Sequence, residues 1–149
     1  MAKGIEKIVC QNREAIRHYQ FEDRYEAGMA LLGTEVKSLR EGRAHLKDSH
    51  CEFKASELFL IGAHIAPYPM SKFYNHDPER PRKLLLKKQE LKRLFGKVTE
   101  RGWTIIPLKI YFKNKRAKLE IALARGKKLY DRREEIKKRD LERELRREA

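Results

Sequence analysis

Apolar residues return at every second position in two stretches late in the chain. In WTIIPLKIYF, Leu108, Ile110 and Phe112 alternate with Lys109 and Tyr111; in AKLEIALA, Leu119, Ile121 and Leu123 alternate with Lys118, Glu120 and Ala122. A period of two predicts half-buried strands. The KNKR between them predicts a tight hairpin in which Asn114 takes a positive φ. Pro107 has no N–H to give, which predicts an edge or a bulge there. Earlier, in YQFEDRYEAGMALLG, Phe21, Asp23 and Tyr25 alternate with Gln20, Glu22 and Arg24, a strand with one partly polar face. Gly28 permits a bend or bulge in it and Gly33 closes it. Residues 46–55 and 57–65 read as two further strands around a turn at Ala55 and Ser56. Leu58, Phe59, Leu60 and Ile61 are apolar on both faces, which predicts a central strand.

Three stretches repeat at helical spacing instead. In KKQELKRLFGKVTERG, Leu91, Leu94, Phe95 and Val98 occupy i, i+3, i+4 and i+7, the clearest amphipathic pattern in the chain, and Gly102 ends it. Asn12 caps a short helix, NREAIRHY, with Ala15, Ile16 and Tyr19 on one side and Arg13 and Arg17 on the other. Thr34 reads as the cap of EVKSLREG, with Glu35 in the first turn and Val36 and Leu39 inward. Lys37, Arg40 and Arg43 recur at three-residue spacing along its polar side, and Ser38 sits among them. Between these elements, 67–82 holds four of the five prolines and forms a long loop. Its Tyr68, Phe73 and Tyr74 stand beside Lys72, Arg80 and Arg82, and suit either stacking on bases or plugging the end of a barrel. Five or six short antiparallel strands with three inserted helices predict a mainly β body: a small barrel of the oligonucleotide-binding (OB) type, or alternatively an open α+β sheet.

The pattern lapses after residue 125. Residues 126–149 hold ten Lys or Arg and seven Asp or Glu, and their apolar Leu129, Tyr130, Ile136, Leu141 and Leu145 form no continuous stripe. Burial there cannot offset the entropy of ordering. The expected division is a barrel over 1–125 and a tail over 126–149 that is disordered when free and helical on a partner. Charge sharpens the picture. The chain carries 36 Lys or Arg against 22 Asp or Glu, a net +14. Without the tail, 26 basic residues still face 15 acidic ones. A cationic body calls for a polyanion: nucleic acid first, an anionic membrane second. No apolar run reaches membrane-spanning length and 1–10 lacks the core of a signal peptide, so the cytoplasm is expected. Two cysteines, Cys10 and Cys51, read as reduced buried thiols.

Candidate catalytic chemistry is sparse. The five histidines form no metal-ligand set, and no phosphate-loop or nucleophile motif occurs. His76 and Asp77 imitate a catalytic pair but sit in a proline-bounded loop, and His50 and His64 fall in strands. A binding protein without metal or cofactor is expected, not an enzyme.

The run EAGMALLGTEVKSLREGR over 26–43 resembles the EAG…GTEVKSLR…G signature of the SsrA-binding (SmpB) family. Asn75, His76, Asp77 and Pro78 followed by RKLLL over 82–86 are similar to a second family block, 107–125 to its PLxxYFKNGxAKxEIxxAR hairpin, and 126–133 to its GKKxxDKR motif. The resemblance implies an OB-type barrel with three helices. That barrel grips the tRNA-like domain of transfer-messenger RNA (tmRNA), in place of an anticodon arm, during rescue of stalled bacterial ribosomes. It implies a tail that enters the decoding site and empty mRNA channel, delivery with elongation factor Tu and GTP, and no covalent chemistry. Asn12, Glu26 and Leu85 match family positions implicated in gripping tmRNA, and Lys37, Ser38 and Arg40 belong to the signature block. The charge pattern adds Arg13, Arg17, Arg43, Arg82 and Lys83 as phosphate contacts. In the tail, Lys127, Lys128, Asp131 and Arg133 match the motif, and Arg132 stands where Lys is usual. Tyr130, at a position of His or an aromatic, is expected to stack on a decoding-site base. Asn114 and Lys115 replace a common Asn-Gly, and His45 a common Asn. A structural rRNA-binding component of the ribosome is the alternative function, and an RNA-processing enzyme a more distant one.

Overall fold

The computed structural model describes residues 7–71, 74–100 and 102–126. Lys72, Phe73 and the tail residues Lys127, Lys128, Tyr130, Asp131, Arg132 and Arg133 lie outside them, as do the rest of 127–149. In chain order the elements are β1 (Lys7–Gln11), α1 (Arg13–His18), β2 (Tyr19–Met29), α2 (Gly33–Arg40), β3 (Ala44–His45), β4 (His50–Lys54), β5 (Glu57–Ile61), β6 (His64–Ile65), β7 (Arg82–Leu85), α3 (Lys88–Thr99), β8 (Thr104–Lys113) and β9 (Arg116–Gly126).

The main sheet closes on itself. Hydrogen-bonded neighbours run β8-β4-β5-β7-β2-β9, and β9 pairs back onto β8. All pairings are antiparallel, so six strands form the expected small OB-type barrel, with β1 added to the edge of β8 beyond β4. Inside sit Leu58, Leu60, Leu84, Ile105, Ile110, Leu119 and Ile121, joined by Leu39 from α2 and Leu94 from α3. A smaller cluster on the outer face, Ile106, Leu108, Ala122 and Ala124, packs beneath Ala15 of α1. β8 is therefore buried on both faces, which explains its near-continuous apolar sequence.

Pro107 sits at a bulge, one of the two expected outcomes: the β8–β9 register shifts between Pro107 and Lys109. The extra residue turns Leu108 away from Ile110 and Phe112, with which simple alternation grouped it, and places it under α1. Asn12 answers the exposed carbonyls. Its backbone N–H donates to Leu108 O at 2.7 Å, its side-chain amide donates to Pro107 O at 2.9 Å, and its Oδ1 accepts from Ala15 N–H at 3.3 Å. One residue thus caps α1 and fastens it to the bulge.

Other details depart from the sequence pattern. β2 bulges between Phe21 and Arg24, not at Gly28. Gly28 instead allows close approach, since a Cβ there would lie 3.3 Å from Leu85 Cβ. Thr34 does not cap α2; Leu32 occupies that position, and its N–H donates to the Glu35 carboxylate at 2.8 Å. The predicted strands 46–55 and 57–65 are each interrupted, at Asp48 (φ 58°) and at Gly62 (φ 80°). The turn between them holds Ala55 and Ser56 at φ 49° and 68°, and Asn114 and Lys115 at φ 51° and 67° close the β8–β9 hairpin as expected of Asn114. Neither cysteine is in a disulfide. Burial pushes the Cys51 thiol up, and it raises half-buried Cys10 to about 11 against a backbone hydrogen bond.

The register gives the barrel two distinct ends. Tyr19 lies opposite Gly126 and Thr104 opposite Ala124 at one end; Gly28 and Tyr111 both lie opposite Lys118 near the other. α2 follows β2 at the second end. α3 leads into β8 at the first, where the described chain also stops.

A buried ion pair ties the second end together. Glu35 and Arg82 are both 0% exposed, with Nε 2.6 Å from Oε2, while Arg80 reaches Oε1. The rest of the Arg82 guanidinium donates to Ala63 O at 2.8 Å and Pro78 O at 3.0 Å. Burial alone would raise the Glu35 carboxyl, but the Arg80, Leu32 and Arg82 hydrogen bonds and the Arg82 charge outweigh it and hold it below its ordinary 4.5. Replacing Glu35 with Gln should cost about 3–5 kcal/mol in urea unfolding near neutral pH, because Arg82 keeps its charge and loses its counterion. The carboxylate's contribution is complete above 4.5 and is lost as pH falls through the lower folded value. The stability gap between wild type and Glu35→Gln should therefore narrow from about pH 7 to about pH 3; a constant gap would remove charge from the explanation.

Candidate nucleic-acid interface

The polar face of α2 is short, cationic and held rigidly. Val36 and Leu39 anchor the helix on the core while Lys37 and Arg40 stay exposed on its outer side. Arg43 follows just after the helix, exposed and 3.8 Å from Glu41. Lys37 Nζ lies 5.5 Å from the centre of the Tyr68 ring, so its ammonium is steered by a cation–π contact.

The loop that carries Tyr68 is tied down by its own side chains. Asn75 accepts from Tyr68 N–H at 3.1 Å and donates to Tyr68 O at 2.8 Å, mimicking a strand pair. His76 is buried, with Nε2 2.8 Å from Ile65 O and Nδ1 2.8 Å from Thr34 Oγ1. A carbonyl can only accept, so Nε2 donates to Ile65 O, and Nδ1 shares a hydrogen bond with the Thr34 hydroxyl. The Asn-His-Asp-Pro block thus sets the loop against α2.

Glu26 lies on β2 towards the same end. Its carboxylate accepts from Tyr111 Oη at 2.5 Å and sits 3.4 Å from Lys113 Nζ. The Tyr111 hydrogen bond, aided by Lys113 and Lys118, lowers its pKa in spite of partial desolvation. Its charge is therefore secure at neutral pH, and one oxygen remains to accept from a base amino group or a neighbouring cation. Leu85 is 51% exposed on β7 beside Gly28, an apolar spot on this surface. Lys83, next to it, pairs with Glu57 at 3.1 Å.

Arg13 and Arg17 are exposed on α1, which packs on the outer face of β8 and β9 and not on the α2 end. Asn12 is 7% exposed and spends its side chain on the bulge and the cap, so its part in any interface is to position α1. Two expected contacts are corrected. Arg82 is fully buried in the Glu35 pair and has no surface for a phosphate. Ser38 faces the interior at 0% exposed, because it lies on the same side of α2 as Glu35 and Leu39. Tyr111 and Lys113 were not singled out beforehand: they meet Glu26 from 85 and 87 residues away, a distance no local spacing reveals.

The arrangement suits polyanion binding with local specificity. Among the described residues, no group of His, Cys, Asp and Glu could hold a metal ion, and no helix is long and apolar enough to cross a membrane.

Comparison with known proteins agrees in one direction. The family model described as SmpB protein matches residues 9–149. The SsrA-binding protein of Desulforudis audaxviator (strain MP104C) is 54% identical over 149 residues, covering 100% of this chain and 97% of the relative. That of Syntrophobacter fumaroxidans (strain DSM 10017 / MPOB) is 55% identical over 139 residues, covering 93% of this chain and 86% of its own. Among solved structures, a chain of one described as "tmRNA-SmpB: a journey to the center of the bacterial ribosome" is similar with a TM-score of 0.63 and 46% identity over 85% of each chain. Identity near one half, sustained from the first strand through the segment beyond the barrel, leaves one assignment: this chain belongs to the SmpB family of SsrA-binding proteins.

Proposed function

We propose that this protein is an RNA-binding adaptor in trans-translation. Its barrel grips the tRNA-like domain of tmRNA and is required for delivery of that RNA to stalled ribosomes, where the unfinished peptide is tagged and the ribosome rescued. The observation that carries this reading is the family match running without a break from 9 to 149, through barrel and tail alike. The solved relative joins SmpB and tmRNA to the bacterial ribosome by its own description. A structural rRNA-binding component of the ribosome has no such support, since the relatives are named for SsrA binding.

In this reading the α2 end of the barrel meets tmRNA. Lys37, Arg40 and Arg43 neutralise phosphates and set affinity, while Glu26 and the apolar Leu85 read shape and base edges. Arg13, Arg17 and Lys83 contribute phosphate contacts at the margins. The tail, with Lys127, Lys128, Tyr130, Asp131, Arg132 and Arg133, enters the decoding site and the vacant mRNA channel. There its ten cations meet rRNA phosphates and the chain becomes helical. Delivery with elongation factor Tu and GTP, in the bacterial cytoplasm, completes the scheme. The protein acts by binding and positioning, with no covalent step of its own.

Two experiments test the division of labour. A chain ending at residue 125 should bind tmRNA nearly as well as the full protein and support no tagging on stalled ribosomes; loss of tmRNA affinity on truncation would overturn the split. Lys37→Ala should weaken tmRNA binding and reduce the slope of log affinity against log salt by about 1, with an unchanged melting temperature. Glu26→Ala should weaken binding without that change of slope. Unaltered gel-shift titrations would take both residues out of the interface.

A further inference from the structure

α3 was expected to bury Leu91, Leu94, Phe95 and Val98 together. Leu94 is fully buried and Leu91 and Val98 pack against the core, but Phe95 is 51% exposed. It does not stand alone. A cleft of about 450 Å³ opens between α3 and the β4–β5 hairpin, lined by Phe53, Ser56, Lys88, Leu91, Lys92 and Phe95. The Phe53 and Phe95 rings meet at right angles, 88° between planes and 5.3 Å between centroids. A flat heterocycle lying parallel to either ring meets the other edge-on, the two favoured aromatic geometries at once. Lys88 and Lys92 stand on the same helical face as Phe95, seven and three residues before it, and neither has an ion-pair partner among the described residues. The helix carries Lys88, Lys92, Arg93 and Lys97 against Glu90 alone.

An aromatic corner with a cationic rim fits an unstacked nucleobase whose flanking phosphates reach the lysines. An acidic peptide would satisfy the lysines but leave the right-angled rings without a matching plane. Position names the source. Cys51 on β4 pairs with Ile105 at the start of β8, so Phe53, two residues further along β4, lies beyond that start. Tyr111 and Lys113, beside Glu26, lie roughly 20 Å along the strand. The cleft thus belongs to the barrel end opposite the proposed tmRNA face, the end at which β9 leads into the tail.

We propose that this cleft takes an unstacked base of ribosomal RNA and docks the α3 end of the barrel on the ribosome beside the tail's point of entry. The inference rests on the adaptor reading above. The test uses the full-length protein, with affinities for purified small ribosomal subunits and for tmRNA measured side by side. Phe95→Ala should lower subunit affinity by at least about fivefold, the weak end of a base–aromatic stack, and leave tmRNA affinity, which reports an intact fold, unchanged. Phe95→Trp should retain affinity, and Lys92→Glu, which leaves the apolar packing untouched, should lower it. A photo-crosslinking phenylalanine analogue at position 95 should couple to rRNA. Full subunit affinity in Phe95→Ala and Lys92→Glu, a loss confined to tmRNA, or crosslinks to a ribosomal protein would each overturn the cleft while leaving the adaptor reading in place. A wild-type protein that binds neither RNA would overturn both.

Discussion

The carboxylate of Glu35 is the point on which the α2 end of the molecule turns. It accepts from the first turn of its own helix and from two arginines of a loop and strand more than forty residues away. A charge buried this completely is tolerable only when every lone pair is used, and here the Leu32 N–H, Arg80 and Arg82 share the work. Because Arg82 also binds the carbonyls of Ala63 and Pro78, the same pair fixes α2 to the connection between β5 and β6 and to the proline-rich loop. Lys37, Arg40 and Tyr68 inherit their positions from that arrangement. This cationic surface is held in place by two fully buried residues locked beneath it.

A barrel built this way has two ends of different chemistry. One end presents a preorganised cationic helix and a carboxylate whose charge is held by Tyr111 and Lys113. The other presents α3, the aromatic corner and the start of the tail. A protein that must hold one folded RNA while engaging another gains from having opposed faces, since a single patch would force the two polyanions into contact and repulsion.

Much of this was legible in the amino-acid pattern. Alternation exposed β2, β8 and β9, helical spacing exposed α3, and the signature blocks named the family from residues alone. What local pattern missed had particular causes. β1, with only five residues, has no repeat to show and exists because β8 offers it an edge. Leu108 was placed on the wrong face because a bulge changes parity, and Pro107 warned of a bulge without saying which side chain would turn. Arg82 looked like a phosphate ligand because composition cannot distinguish a solvated guanidinium from one sealed against Glu35. Glu26 was readable as a motif residue, but its partners arrive through strand register.

The closure of the ring through β8 also bears on how the molecule comes into being. β1, β4 and β9 all pair with this one late strand, and β2 leans on β9 along nearly its whole length. A growing polypeptide therefore emerges with β1 unpaired and with β2 and β4 each open along one edge until β8 and β9, residues 104–126, have been made. Chains that stop short of the final hairpin lack both strands that close the ring and expose the apolar interior the barrel would otherwise seal.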